Sequence, residues 1–139
     1  MDAWPGVPEG VGPHEFRELE LMLAGDKPLA VFVDEDPGNF EIPEVDFDVH
    51  VAVGRFVKKE AVYPHPDRSY APRYIYFALP EEAWRIDKLH AINAAILGGS
   101  RKATENDELE IGGLLGYSDQ QIQAYLAHVR TIRHGAGKA

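Results

Sequence analysis

The chain has 139 residues, enough for one hydrophobic core and short of what two independent cores need. Its 45% hydrophobic, 27% charged and 10% aromatic content is that of a globular protein and excludes a disordered or fibrous one. The absence of cysteine excludes disulfides, thiolate metal sites and cysteine nucleophiles, and the net charge of -9 disfavours generic binding to nucleic acid or to an anionic membrane.

Residues 1–12 hold three glycines and two prolines and are read as a flexible N-terminal arm, with Trp4 able to dock on the body. They contain neither a basic region nor an apolar one of the signal-peptide kind, and no run approaches the roughly 18 apolar residues of a membrane span. The expectation is a cytoplasmic protein that does not enter membranes. A single domain is expected over 13–134, with a disordered tail over 135–139.

After Pro13, "HEFRELELMLAG" places Phe16, Leu19, Met22 and Leu23 on one helical face, and Gly25 supplies the stop. "PLAVFVD" reads as an apolar strand, and "EDPGNFEIPEV" as an acidic turn-rich loop. In "EVDFDVHVAVGRFVKKE", polar Asp46, Asp48 and His50 alternate with Phe47, Val49 and Val51. That period of two predicts a second strand from about residue 47 to 57 or beyond, with Gly54 at a bulge that lets Val53 and Phe56 point the same way. "YPHPDRSYAP" is a proline-rich loop, and "RYIYFAL" a third strand with Ile75, Phe77 and Leu79 on one face and Tyr74, Tyr76 and Ala78 on the other.

Pro80, Glu81 and Glu82 mark the start of a helix over about 81–97, packing Trp84, Ile86, Leu89, Ile92 and Ile96 and ending at Gly98-Gly99. Thr104 caps a short helix carrying Leu109, Ile111, Leu114 and Leu115, which Gly116 breaks. Ser118 and Gln121 form a capping box for a last helix with Ile122, Tyr125, Leu126 and Val129 at helical spacing. The order is α-β-β-β-α-α-α. It predicts an α+β domain with a three-stranded, mainly antiparallel sheet, consecutive strands being neighbours, and helices on at least one face.

Asp46, Asp48 and His50 are of the right types to hold a divalent ion. Residues two apart on a strand are nearly 7 Å apart at about 3.3 Å per residue, so three in a row seldom converge, and the wet face of an edge strand explains them better. No cofactor or metal is therefore expected. Between Arg55 and Arg73 five bases face two acids. Arg55, Lys58, Arg68, Tyr70 and Arg73 are the candidates to hold a small anionic ligand through forked hydrogen bonds and stacking. The alternative is that these bases close onto the acidic first third of the same chain.

"EIGGLLGYSDQQIQAYL", residues 110–126, resembles a helix-turn-helix signature, with Gly112 and Gly116 in the small positions and Ile111, Leu115, Ile122 and Tyr125 in the apolar ones. The resemblance implies that the second helix enters the major groove, where Gln120, Gln121 and Gln123 read base edges. Charge opposes it: residues 105–135 carry five acids and two arginines, with Asp119 where a phosphate would approach. Nucleic acid is thus not the expected partner. The chain has no phosphate loop, no G-x-G-x-x-G, no H-E-x-x-H and no nucleophile elbow.

Residues 1–49 carry thirteen acids against two bases, whereas residues 50–139 carry ten acids against twelve bases. The leading expectation is a binding or regulatory domain of the inhibitor, adaptor or immunity kind. Its acids Asp34, Glu35, Asp36, Glu41 and Glu44 would dock a basic surface of a protein partner. The rival is a small enzyme or ligand-binding domain in which His50 or His65 acts on an anionic molecule, with or without a metal. A homodimer is compatible with either.

Overall fold

The computed structural model of the chain describes residues 17–34, 42–67, 69 and 71–127. The expected arm and tail, together with Glu35, Asp36, Glu41, Arg68 and Tyr70, lie outside the described residues. The first helix, α1 (Glu18–Leu23), carries Glu18 and Glu20 in its first turn, where acids suit the helix dipole, and buries Met22. Gly25 at φ 80° ends it.

Three strands follow: β1 (Leu29–Asp34), β2 (Val57–Val62) and β3 (Arg73–Ala78). They form one sheet in the order β1-β3-β2, with β3 antiparallel to both neighbours. β3 is central because it is apolar on both faces; Ile75, Tyr76, Phe77 and Ala78 are all completely buried. β2 carries Lys58, Lys59 and Glu60 and lies at an edge, where charges discourage further strand pairing. The α+β class and the antiparallel three-stranded sheet are as expected. Consecutive pairing holds for β2 with β3 but not for β1 with β2: these two run in the same direction on either side of β3, so the chain between them must cross over.

That crossover contains α2 (Glu44–Ala52), which corrects the strand expected to begin near residue 47. Alternation over seven residues also fits a helix whose residues 47 and 51 face inward one turn apart. The inward position of Phe47 decides it. Its ring packs 5.2 Å from Phe32, 5.9 Å from Phe56 and 4.7 Å from Phe77, and Val51 adds to the same cluster. Gly54, at φ 80°, follows the helix end and is no strand bulge; Val53 is exposed while Phe56 is buried, so the two do not point the same way.

The helix α3 (Trp84–Leu97) follows a single 3-10 turn, Pro80–Glu82, and buries Ile86, Leu89 and Ile92 against Leu29, Tyr76 and Ala78 on the opposite sheet face. Trp84 does not join this core; it is half exposed, with the Arg85 guanidinium 4.7 Å from its ring. The helix α4 (Glu105–Leu114) starts at a reciprocal box in which Thr104 N–H donates to Asp107 Oδ2 and Asp107 N–H donates to Thr104 Oγ1. The last helix, α5 (119–127), has the expected Ser118 and Gln121 box, with bonds of 2.8 and 3.2 Å. The sheet thus lies between two helical layers, α1 with α2 and α3 with α4. No described helix is long and apolar enough to cross a membrane.

Candidate functional site

Period-two geometry places Arg73 on the same sheet face as Ile75 and Phe77, the face that α2 covers. Its register partner on β1 is Asp34, and Glu60 on β2 stands on the same face. Arg73 Nη2 donates to Glu44 Oε1 at 2.8 Å and to Asp34 Oδ2 at 3.2 Å. Its Nη1 donates to Glu44 Oε2 at 3.3 Å and also to Glu60. Lys58 Nζ completes the network, 2.6 Å from Glu44 Oε2 and 2.9 Å from Asp48 Oδ1.

The electrostatic consequences follow from this geometry. The hydrogen bonds from Arg73 and then from Lys58 hold the Glu44 carboxyl down at about 2, below its ordinary 4.5. Glu44 and Glu60 push Arg73 above its ordinary value. Burial pulls Lys58 down, but its bonds to Glu44 and Asp48 outweigh that and its pKa is raised. Two of the bases read as ligand holders therefore spend their hydrogen bonds on Asp34, Glu44, Asp48 and Glu60. Arg55 is exposed and makes no ion pair among the described residues.

On a helix, Asp48 is rotated by roughly 200° from Asp46, so Asp46, Asp48 and His50 do not share a face. Asp48 turns to Lys58, and the His50 ring lies 5.4 Å from that of Phe56. Among the described residues no group of three or more histidines and acids is arranged to hold a metal ion. His65 stands elsewhere, its Nδ1 accepting from the Asp67 N–H at 3.0 Å and its ring against Gly99 just past α3. His50 and His65 thus belong to opposite helical layers.

The outer surface of α2 is apolar. Val45, Val49 and Val53 recur at i, i+4 and i+8 and are 76%, 56% and 70% exposed. Ala52 is exposed on the same side, and Asp46 and Asp48 flank the stripe. The helix is thus apolar inside through Phe47 and Val51 and apolar outside through valines, with polar residues only along its two seams.

The helix-turn-helix-like segment is a hairpin of α4 and α5 about Gly116. Leu114, Ile122 and Leu126 are buried. Arg85 donates to the carbonyls of Gly113 and Leu114, and Lys27 to that of Leu115 at 2.6 Å. Gln121 is spent on its cap, leaving Gln120 and Gln123 exposed beside Asp119.

Sequence reading missed a buried polar chain on the α3 face. Asn93 Nδ2 donates to Tyr76 Oη at 2.9 Å, Tyr76 and Tyr63 share a short hydrogen bond, and Tyr63 Oη lies 2.8 Å from His90 Nδ1. The one sequence signal was His90 and Asn93 at i, i+3 on an apolar helix. Burial raises both tyrosine pKa values, and for Tyr63 the bond to Tyr76 adds to it. Comparison with protein-family models, with curated proteins and with solved structures finds no match to this chain.

Proposed function

We propose that this protein is a docking domain that binds a basic protein partner through the outer face of α2. The carrying observation is the exposed valine stripe of Val45, Val49 and Val53. A helix apolar on two opposite sides belongs between two packed bodies, and among the described residues only the inner side of α2 is covered. Each valine fully buried by a partner contributes about 1.5 kcal/mol or more, so three give a useful anchor. Presentation of i, i+4 and i+8 side chains to a groove is a recurring recognition mode.

The charge around the stripe selects the partner. A second copy would add a like net charge to a chain of net charge -9, with Asp46 beside the stripe on each copy. A groove rimmed by lysine or arginine meets Asp46 favourably and gains encounter rate from the overall charge. The internal network supports this reading by firmly setting α2 on the sheet through Glu44 and Asp48.

The test is photo-crosslinking in the native cell from a reactive residue at position 49, with position 91 on α3 as control. The expected adduct from 49 is one protein with a basic surface. The purified partner should bind more weakly at raised salt and about tenfold more weakly to Val49→Asp, whose fold is checked by circular dichroism. Adducts only between copies of this chain, equal labelling from 91, or salt-independent binding would overturn the proposal.

A further inference from the structure

A cleft of about 240 Å3 opens at the other edge of the sheet, between α1, β1 and the α4–α5 hairpin. Its walls are held in place by two glycines. A Cβ on Gly112 would stand 2.7 Å from Ile122 Cγ1, so α4 and α5 approach closely there. Gly116, at φ 90°, would put a Cβ 2.6 Å from Pro28 Cδ, so the hairpin turn sits directly on the entry to β1. The cleft is therefore built into the packing, as small-molecule sites usually are.

Its body is apolar, formed by Val31, Ile111, Leu115 and Ile122, and the tyrosines Tyr117 and Tyr125 add aromatic surface. An apolar cavity of about 150 Å3 takes benzene, and drug-sized ligands need roughly 300–1,000 Å3. A volume of 240 Å3 suits one ring with a short chain.

Charge determines what that chain carries. Glu18, Glu108 and Lys27 line the cleft. Lys27 is only 2% exposed, and its ammonium is bonded to the Leu115 carbonyl and lies 4.9 Å from the Tyr117 ring. Glu108 is partly exposed and makes no ion pair among the described residues. Two carboxylates and one buried ammonium thus line the cleft, with the Glu108 carboxylate the partly exposed one that makes no ion pair among the described residues, and aromatic rings add attraction for a cation.

We infer that this cleft is a binding site for a small aromatic amine, its ring against the apolar wall and the tyrosines and its ammonium on Glu108. The site is separate from the α2 face and independent of the docking proposal.

Three probes of similar size separate the possibilities: phenethylamine, neutral phenethyl alcohol and anionic 3-phenylpropionate. Each is titrated into the intact protein while the amide resonances of Ile111, Tyr117 and Ile122 are followed by NMR. The expected order of affinity is amine, alcohol, carboxylate. Glu108→Gln should weaken the amine roughly two- to fivefold and leave the alcohol unchanged. Val49→Asp should change none of the three. The inference is overturned if no probe moves these resonances, if the carboxylate binds as well as the amine, or if Glu108→Gln leaves the amine unaffected.

Discussion

Arg73, at the start of the central strand, holds both carboxylate oxygens of Glu44 at the start of α2, with Nη2 2.8 Å from Oε1 and Nη1 3.3 Å from Oε2. The pair joins the crossover helix to the sheet, and it makes stability depend on pH. The folded value of Glu44 is about 2 against an ordinary 4.5. Its contribution is therefore complete above about pH 4.5 and is lost as pH falls toward 2. Allowing for solvent screening, the loss is about 1–2 kcal/mol. Urea unfolding across this window should show the decline, and Glu44→Gln should flatten it; equal slopes in the two proteins would remove Glu44 as the cause.

Removing the guanidinium leaves three carboxylates near one another on the α2 face. Arg73→Met should cost about 2–3 kcal/mol at pH 7 and less at pH 3, where the acids are becoming neutral. A pH-independent cost would mean that lost packing, and not charge, is responsible.

Gly112 and Gly113 are adjacent in α4 yet should respond oppositely to alanine. A Cβ at 113 meets nothing within 4 Å, so Gly113→Ala should stabilise by about 0.5–1 kcal/mol through helix propensity. At 112 the same gain is outweighed by contact with Ile122 at 2.7 Å, and overpacking of this kind costs about 1–3 kcal/mol. Thermal melts of the two variants decide this, and Ile122→Val should recover part of the loss in Gly112→Ala.

The Asn93 amide donates to Tyr76 Oη, Tyr76 and Tyr63 share a hydrogen bond, and Tyr63 Oη is bonded in turn to His90 Nδ1, so the four side chains form one continuous chain. Tyr63→Phe removes the hydrogen-bond partner of both Tyr76 and His90, and should cost about 1–3 kcal/mol. In a double-mutant cycle, Tyr63→Phe and Tyr76→Phe together should cost less than the sum of the two, by roughly 1 kcal/mol. Strict additivity would show that the shared hydrogen bond contributes nothing.

The α2 stripe should be dispensable for folding. Val45→Ser, Val49→Ser and Val53→Ser should each stay within about 0.5 kcal/mol of the parent, since serine and valine have similar helix propensities and these side chains face water. Val51→Ser, on the inner side against the Phe47 cluster, should cost clearly more. Comparable losses at 49 and 51 would mean that the outer face contributes to this fold.

The elements legible from the sequence are those whose signal is local. β3 was readable because "RYIYFA" alternates large groups on two faces, and both faces are buried. The Thr104 and Ser118 caps needed only a hydroxyl three residues before a matching acid or amide. Gly25 marked the end of α1 because left-handed backbone after a helix is cheap only for glycine.

What failed required distant partners. The segment from Glu44 to Ala52 carries a pattern that a strand and a helix both satisfy, and the choice fell to Phe47, which packs with Phe32, Phe56 and Phe77 from three other places in the chain. The bases Lys58 and Arg73 could be listed from sequence as ligand holders, but only strand register and the seating of α2 bring Asp34, Glu44, Asp48 and Glu60 within hydrogen-bond reach of them. Composition and periodicity by themselves determined the α+β class and most element boundaries, because propensity and capping act within a few residues. The tertiary structure alone decided strand order, the helical state of 44–52 and which charges are already paired, because burial and Coulomb attraction depend on separation in space.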